Sequence, residues 1–426
     1  MQYVFYGTRK NIPVLGSYDA VVVGSGPSGI GAAVTAGRNG IKVLLIEYSG
    51  AVGGISTSGL MSHWTGSVNS RLYEEILQRA ADKNPFNTGV RQIEIDPELL
   101  KNVYYEMLEE ANVEILLYSL VCDVITEDNT VKDVIVQNKT GRSAYYAKTV
   151  IDCSGDGDAA YYSGAEYFKG REGDGVMQPA TLMFKVGGVD MERAVLPGSF
   201  ETTVETHNGE LQKLASQILP KPAGHVLLYK STIPSIVTCN MTNITGIDGT
   251  KAEDLTKAEL ICRSQMKPIV DFLRKYAPGY ENCYIISAAS LIGIRETRHF
   301  REVKQINEKD IVSARVFDDW VVKDAYFNFD VHNTVGSGLD KTGVQKNFTQ
   351  RKGYTIPYGC LVPIKVDGLL LSGRNISGTH MAHSNFRAMP ICLAIGAAGG
   401  SAAALSAKEN KKLRDIEPQK IQQLLN

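Results

Sequence analysis

One short run of glycines constrains this chain more than any other feature. Tyr18 to Val23 has the apolar character of a buried strand, and Gly24-Ser25-Gly26-Pro27-Ser28-Gly29 follows it at once. Residues 30–39 are rich in alanine and glycine and predict a helix, and residues 42–46 predict a second buried strand. A strand, a G-x-G-x-x-G turn, a helix and a strand in this order indicate a βαβ unit that binds a dinucleotide.

Each part of that turn has its own physical task. Gly24 permits the tight turn, Gly26 lets the backbone approach a pyrophosphate, and Gly29 lets the helix pack closely on the strand. The helix that begins at Pro27 and Ser28 offers free N–H groups after the proline and a positive dipole end, and both favour phosphate there. Glu47, at the end of the second strand, stands where an acceptor for ribose hydroxyls is expected, which leaves FAD and NAD as alternatives.

A second glycine pair separates these alternatives. Gly53-Gly54 follows Glu47 and is accompanied by Ser56 and Thr57. Small residues suit a loop that passes beside the extended remainder of a large cofactor, whereas an ordinary flexible loop is the other interpretation. We expect FAD, because the chain also shows no second dinucleotide fingerprint of the kind that NAD(P)H-linked reductases carry in a separate domain.

Composition excludes several other classes of protein. A chain of 426 residues predicts two domains, and 43% hydrophobic with 21% charged residues is typical of a globular protein. The net charge of -1 favours neither nucleic acid nor an acidic membrane surface as a partner. The seven scattered cysteines form no C-x-x-C pair, which argues against disulfides, zinc and iron–sulfur clusters, and we predict no metal site.

Location is predicted from what the sequence lacks. The first twenty residues lack the apolar core of a signal peptide, and no apolar run is expected to reach the length of a membrane span. We therefore expect a cytoplasmic protein.

The rest of the chain predicts further elements of an α/β protein. Asp96-Pro97 starts a helix that runs to about Ala111, and a long helix is expected over residues 251–276. Strand-like runs cover residues 113–118, 121–127, 131–138, 144–151 and 368–372. A last helix starts at Met389-Pro390 and is rich in alanine.

Four later segments give a resemblance to a known family. They are residues 150–158 (VIDCSGDGD), 292–298 (IGIRETR), 329–332 (FDVH) and 356–374, which ends in SGR. Together with the glycine turn they resemble a bacterial family of FAD-dependent oxidoreductases in the glutathione-reductase superfamily. That family is related to the succinate dehydrogenase and fumarate reductase flavoproteins, which share the spacing from Glu47 to Gly53. The likeness covers roughly residues 18–408.

The resemblance implies an architecture and a set of cofactor contacts. It implies an α/β fold in which residues 1–167 and 331–426 form a discontinuous, Rossmann-like FAD-binding domain of glutathione-reductase type. A mixed α/β, or α+β, substrate domain is inserted over residues 168–330. The N-terminus of the last helix would point at the flavin pyrimidine. The residues expected at FAD are Gly24, Ser25, Gly26, Pro27, Ser28, Gly29, Glu47, Tyr48, Gly53, Gly54, Ser56, Thr57, Val121, Ser154, Gly155, Asp158, Gly373, Arg374, Met389 and Pro390.

Candidate catalytic residues are those expected to pass the flavin ring, because the protein must position the substrate and handle protons. They are His332, His380, His383, Arg374 and Arg387. Asp330, two residues before His332, would project on the same side of a strand and orient its ring.

Two further pairs leave alternatives open. Arg295 and Arg298 would share one face of a helical turn, either as a surface that pairs with Glu296 or as functional cations. His63-Trp64 could reach the flavin edge, and a covalent flavin link is possible without being required.

Three hypotheses follow. The first is a dehydrogenase that transfers a hydride from a small polar substrate to flavin N5, with His332 or His380 as base. The second is a reductase of an activated C=C bond, by analogy with fumarate reductases. The third is a flavin-binding subunit without its own substrate. The expected partners are a small-molecule substrate, an electron donor or acceptor, and a second copy of the chain.

Overall fold

The computed structural model describes residues 11–86, 89–344 and 347–426. The prediction that the first twenty residues are not a signal peptide falls partly on residues 1–10, which lie outside these ranges. The strands are β1 Val14–Val23, β2 Val43–Ile46, β3 Ser67–Asn69, β4 Glu114–Leu116, β5 Leu120–Glu127, β6 Thr130–Asn138, β7 Gly141–Asp152, β8 Tyr167–Lys169, β9 Phe184–Gly187, β10 Glu205–Thr206, β11 Gly209–Glu210, β12 Leu228–Lys230, β13 Val237–Cys239, β14 Tyr284–Ala288, β15 Arg298–Phe300, β16 Trp320–Tyr326, β17 Tyr354–Pro357 and β18 Leu369–Leu371. The helices are α1 Pro27–Arg38, α2 Arg71–Lys83, α3 Pro97–Glu110, α4 Asp158–Tyr162, α5 Leu211–Ile218, α6 Ala252–Tyr276, α7 Glu308–Val312, α8 His380–Phe386, α9 Met389–Glu409 and α10 Pro418–Leu425.

The largest sheet joins the two ends of the chain. Strands β4, β2, β1, β7 and β18 lie parallel, and β6 and β5 continue the sheet as an antiparallel pair. Strand β7 is long enough to pair with β6 along its first half and with β18 at its end. The fold is therefore a mixed α/β fold with a parallel sheet, and its last strand comes from residues 369–371, as the sequence predicts.

Alternation along the central strands explains the two faces of this sheet. Ala20 and Val22 pack in the cluster that contains α1, α3 and α9, whereas Val21 and Val23 pack in the cluster with β5, β6 and α4. Side chains of a strand point alternately to its two faces, so a fully apolar run marks a strand that is covered on both sides.

Helices α1 and α9 cross with almost no side chains between them. A Cβ added to Gly396 would lie 2.0 Å from the carbonyl oxygen of Ser28, and one on Gly400 would lie 2.3 Å from that of Ala32. Their glycines therefore set the close approach that holds the two ends of the chain together.

Residues 180–289, together with Leu60, form a second hydrophobic cluster. It is built on the antiparallel sheet β12-β13-β9-β14 and on helices α5 and α6. Strand β16, at residues 320–326, instead pairs with β17 and β3 and contributes Val321 and Val322 to the first cluster. The domain limits at 167/168 and 330/331 stay a prediction.

Helix α9 contradicts the expectation that no apolar run reaches the length of a membrane span. Over the described residues it is the one helix long and apolar enough to cross a membrane, with a mean hydropathy of 1.5. However, 89% of that window is buried inside the protein. A helix that is covered on all sides needs the same composition as a membrane span, and here the covering is α1 and the sheet.

Candidate functional site

The N-terminus of α1 is an open backbone cradle. Gly24 has a φ of +88°, and a Cβ there would lie 2.8 Å from the Cys153 carbonyl oxygen, while a Cβ on Gly29 would lie 1.9 Å from that of Gly24. Gly26, in contrast, borders open space, because no described atom lies within 4 Å of a Cβ added there. No side chain among the described residues caps α1. Unsatisfied N–H groups thus face free space, which suits a pyrophosphate.

The second glycine pair lies directly beside this cradle. The Gly53 N–H donates to the Ser25 carbonyl oxygen at 2.8 Å, and a Cβ on Gly54 would lie 3.1 Å from the Gly26 Cα. Gly373 approaches from the end of β18, since a Cβ there would lie 3.0 Å from the Ser28 Cβ. We name Gly24–Gly29, Gly53, Gly54 and Gly373 the cradle.

Glu47 reaches the cradle as a buried carboxylate. Its Oε2 accepts hydrogen bonds from the Ser25 N–H at 2.9 Å and from the Ser25 Oγ at 2.6 Å. Its Oε1 accepts from the Ser49 N–H at 2.8 Å. The acceptor expected for a ribose therefore stands at the edge of the phosphate-binding turn.

The loop after β7 carries more of the predicted cofactor residues. Ser154 Oγ donates to Asp152 at 2.7 Å and accepts from the Asp158 N–H at 3.0 Å. Arg374 lies against Gly155 and donates to Asp156 Oδ1 at 2.7 Å. Burial raises the pKa of Asp152, under this loop, to about 6.

The remaining predicted cofactor residues differ in how they are placed. Ser56 and Thr57 are buried and donate to the carbonyl oxygens of Gly53 and Val52. Tyr48 is exposed, and the side chain of Val121 packs in the core beneath β5.

The last helix packs against the cradle and begins about two turns before that contact. Met389 and Pro390 are the first residues of α9, seven residues before the close contact of Gly396 with Ser28. At 1.5 Å per residue this separates the start of α9 from the cradle by about 10 Å along the helix. The residues present therefore fit an extended dinucleotide: a cradle that any Cβ at Gly26 would fill, an acid, and a second helix N-terminus.

Four charged or polar side chains gather beside that helix start, and we name Arg295, Asp330, His332 and Arg387 the Asp330 cluster. Arg387 donates to the Asp330 carboxylate and to its carbonyl oxygen, both at 2.8 Å. The His332 Nε2 lies 3.3 Å from Asp330 Oδ2. Arg295 is buried, and its guanidinium donates to the Pro179 carbonyl oxygen at 2.6 Å. The pairing of His332 with Asp330 is as expected, although they lie in a loop rather than a strand.

Charge in this cluster is unbalanced. Burial alone would raise the pKa of Asp330, but His332 and Arg387 bring it far below its usual range. Burial and the neighbouring Arg295 lower the pKa of His332 to about 4. At neutral pH the cluster therefore holds two guanidiniums, one carboxylate and a neutral imidazole. Because the carboxylate only accepts hydrogen bonds, Nε2 carries the imidazole proton and Nδ1 is the basic atom.

His380 and His383 do not join His332. They gather around Glu296 with His299, and we name these four side chains the Glu296 cluster. Glu296 Oε1 lies 2.6 Å from His380 Nδ1 and 2.8 Å from His299 Nε2. The His383 ring meets the His299 ring edge-on at 4.9 Å. Burial and His299 hold the pKa of His383 well below its ordinary value.

Gln178 connects the two clusters. Its N–H donates to Glu296 Oε2 at 3.0 Å, and its side-chain oxygen accepts from the His332 N–H at 3.2 Å. Sequence reasoning named neither Gln178 nor the roles of Glu296 and His299. One signal was present: Glu296 and His299 have the same spacing as His380 and His383.

One alternative about neighbouring residues was wrong. Arg295 and Arg298 lie neither on a helical turn nor on the surface, and Glu296 pairs with histidines instead of arginine. Arg298 donates to Asp158 at 2.9 Å and lies over the Tyr161 ring. Trp64 is fully buried and stacks on Tyr73, whereas His63 is half-buried, so contact of this pair with the flavin edge stays a prediction.

Comparison with known proteins decides the family. The family model described as FAD dependent oxidoreductase matches residues 19–425. This chain belongs to that family. The oxidoreductase is accordingly an enzyme that uses FAD, as the glycine pattern and the later motifs predict.

Individual relatives are distant. Digeranylgeranylglycerophospholipid reductase 1 of Methanococcoides burtonii is 26% identical over 206 residues, which are 42% of this oxidoreductase and 46% of the relative. The match thus spans less than half of that relative's length.

Solved structures support the fold. A geranylgeranyl bacteriochlorophyll reductase-like protein of Thermoplasma acidophilum has a TM-score of 0.50 at 15% identity, covering 96% of this oxidoreductase and 82% of that chain. The triple mutant of the flavin-dependent brominase Bmp2 has a TM-score of 0.50 at 13% identity, covering 94% and 83%. Such identities show a shared fold alone.

Proposed function

We propose that this oxidoreductase oxidises a small polar substrate that carries an anionic group, and that the Asp330 cluster binds it. FAD, when bound, supplies a hydride acceptor at its N5 atom. The observation that carries the proposal is the excess positive charge of Arg295, which is buried, and Arg387, which is half-buried, over the single carboxylate of Asp330. A buried cation without a counter-charge is costly, so a carboxylate or phosphate on the substrate would stabilise the site.

His332 suits the role of the base. Its lowered pKa keeps it neutral near pH 7, and the hydrogen bond to Asp330 directs the free lone pair away from that carboxylate. A neutral imidazole can take a proton from a hydroxyl or amine as the hydride leaves the adjacent carbon. Arg387 and Arg295 would hold the anionic group and so fix which carbon faces the flavin.

An anaerobic substrate panel tests the proposal. The FAD-bound protein is mixed with small hydroxy and amino carboxylates and with their uncharged analogues, and the oxidised-flavin absorbance is followed. We expect bleaching with members of the anionic set and at least about 100-fold slower bleaching with matched neutral compounds. Equal rates for both sets would contradict the proposed role of the arginines.

Two variants locate the effect. Arg387→Lys keeps the charge and loses the planar fork, and we expect it to raise KM by about tenfold or more. His332→Asn removes the base, and we expect kcat to fall by about 10²–10⁴. Both should keep wild-type FAD content, because neither residue lies in the cradle.

Reduction of an activated C=C bond is the second candidate. The name of the Methanococcoides burtonii relative describes a reductase, which favours this direction. The same anaerobic absorbance experiment distinguishes substrate oxidation from C=C reduction. If the enzyme is a C=C reductase, an enoate should reoxidise the photoreduced enzyme without oxygen. The fumarate-reductase analogy belongs to this candidate, with Arg374, Arg387 and Arg298 as the available cations.

We also propose that the large sheet is an FAD-binding domain of glutathione-reductase type. The antiparallel pair β5–β6 beside the last parallel strands supports this assignment. A structure with FAD bound, in which the cofactor runs from the cradle to α9, would test it together with the predicted contacts.

The setting of the enzyme is proposed as well. The seven cysteines are all unpaired thiols, as expected in the reducing cytoplasm, and the net charge of -1 supports neither nucleic acid nor an anionic membrane as partner. We propose a cytoplasmic location, a separate electron donor or acceptor, and a homo-oligomer. Fractionation of cells and light scattering of the purified protein test these points.

A further inference from the structure

The Glu296 cluster is more than a pair of hydrogen bonds. Its four side chains lie on two segments, the strand-like stretch that leads into β15 and helix α8, and each is 4% exposed or less. Each segment contributes two groups three residues apart. Four groups that can bind metals have thus been brought together at the cost of burying all of them.

Several ring nitrogens of this cluster have no protein partner. His299 Nδ1, His380 Nε2 and His383 Nδ1 are buried without a hydrogen bond among the residues that the structure describes. A buried polar atom without a partner costs about 1–3 kcal/mol, and native proteins contain few of them. Two of the three atoms belong to His299 and His383, whose rings meet edge-on, and this points to a missing partner shared by those two rings.

Distances limit what that partner is. Glu296, His299 and His383 each offer one ligand atom, and these three atoms lie within 4.8 Å of one another. A tetrahedral ion with ligands at about 2.0–2.1 Å holds its ligand atoms roughly 3.4 Å apart. Side-chain rotations that move these ligand atoms by about an ångström would therefore bring the three atoms to the spacing that one ion requires.

We propose that Glu296, His299 and His383 form a buried binding site for one divalent transition-metal ion. Two imidazoles and one carboxylate are a ligand set for Zn²⁺, Fe²⁺ or Co²⁺, whereas Mg²⁺ and Ca²⁺ prefer oxygen ligands. The inference departs from the expectation of no metal site, which was based on the spacing of the cysteines and did not consider histidine ligands.

The surroundings of the three ligands resemble an outer shell. The Gln178 N–H donates to Glu296 Oε2, and His380 Nδ1 lies 2.6 Å from Glu296 Oε1. Such contacts fix the orientation of a ligating carboxylate. His380 is therefore a positioning residue, and it would leave the ligands at three protein groups with an open fourth position.

Nearby positive charge does not prevent cation binding. Two guanidiniums, those of Arg374 and Arg387, lie near enough to His383 for their charge to lower its pKa. Arg374 is paired with Asp156 at 2.7 Å and Arg387 with Asp330 at 2.8 Å. Each cation thus has its own carboxylate, and Glu296 remains for the ion.

Metal analysis of the FAD-bound full chain tests the inference. The protein, freed of any affinity tag, is treated with a chelator and then offered Zn²⁺, Co²⁺ or, without oxygen, Fe²⁺. We expect about one ion per chain with at least one of them and a Kd below about 1 μM. The Co²⁺ form should show visible d–d absorption that is typical of imidazole ligands.

Variants separate this site from adventitious binding. In His299→Gln/His383→Gln we expect less than a tenth of the wild-type metal, whereas His225→Gln, which removes a buried histidine elsewhere, should keep it all. His380→Gln should still bind one ion, but about 10–100-fold more weakly. FAD content measures folding of each variant independently of metal.

Two results would overturn the inference. One is wild-type protein that takes up no more of the three metals than the double variant does. The other is wild-type protein that shows no Co²⁺ d–d absorption at any ratio of metal to protein. This second result does not depend on the double variant, so it applies even if that variant fails to fold. In either case the cluster would be a carboxylate shared by two imidazoles and nothing else.

Discussion

The cradle at α1 and the Asp330 cluster are the two parts of the candidate site, and they are built in opposite ways. The cradle consists of backbone groups, and its essential residues are those that lack a side chain. The Asp330 cluster consists of side chains that come from residues 295, 330, 332 and 387. The difference teaches that nucleotide binding depends on local geometry, whereas chemistry depends on where distant segments meet.

The strongest test of this comparison is Gly29→Ala. The added Cβ would lie 1.9 Å from the Gly24 carbonyl oxygen, so the turn or the helix must move. We expect a loss of about 3 kcal/mol or more in unfolding free energy, and protein without FAD. Thermal unfolding and the flavin spectrum measure both. A variant that stays stable and yellow would show that the turn is not rigid.

Acid should act on the side-chain region and not on the cradle. Burial lowers the pKa of His332 to about 4 and that of His225 to about 3. The unfolded chain protonates near pH 6.5, so it binds more protons than the folded chain between pH 6.5 and about 4. The unfolding free energy therefore falls as pH falls through this window, by up to about 3 kcal/mol for each histidine.

The carboxyl group of Asp152 partly offsets this acid effect. Its pKa is raised to about 6, so the folded chain gains its proton first and is stabilised as pH falls. Denaturant unfolding at pH 7 and pH 5 measures the balance. In His225→Gln the pH dependence should be weaker, and in Gly26→Ala it should equal that of the wild type; a steeper slope in the histidine variant would contradict the assignment.

Gly26→Ala separates cofactor binding from folding. Gly26 has a φ of -61°, which alanine adopts, and its Cβ would enter free space where the phosphates are expected. We expect FAD affinity to fall at least about tenfold, which is about 1.4 kcal/mol, with unchanged unfolding of the apoprotein. Gly198→Ala, also in open space, is the matched control and should bind FAD normally. Unchanged affinity in Gly26→Ala would place the pyrophosphate elsewhere.

The smallest expected effect concerns the junction between the two regions. Thr297 donates to Asp156 at 2.6 Å, and Asp156 in turn pairs with Arg374. Thr297→Val should lower the unfolding free energy by about 1 kcal/mol. Thr256→Val, on the exposed face of α6, should change it by less than about 0.5 kcal/mol. Equal effects in calorimetry would show that the junction contributes little.

The positions of several helices followed from local sequence. Pro27–Arg38, Pro97–Glu110 and Ala252–Tyr276 form helices within a few residues of the predicted limits, and the Asp96 side chain caps its helix as expected. These elements are specified by proline, capping groups and apolar periodicity, which act over a few residues.

The cluster around Glu296 could not be found in this way. Glu296 and His380 are 84 residues apart in sequence and 2.6 Å apart in space. The motif around Arg295 left two alternatives, a solvated helical turn paired with Glu296 or functional cations, and neither named the histidine partners of Glu296. Tertiary packing buried this motif, since Gln178, His299 and His380 supply the partners that a buried carboxylate needs.

By itself the sequence determined the dinucleotide turn, the cofactor class and the return of the chain to its first sheet, because glycines and buried strands act through the backbone around them. The local pattern placed Asp330 beside His332, but tertiary structure alone decided that His380 and His383 gather around Glu296. The physical reason is that a side-chain cluster is fixed by the packing of α8 against residues 296–299, and no local pattern encodes a distance between segments so far apart.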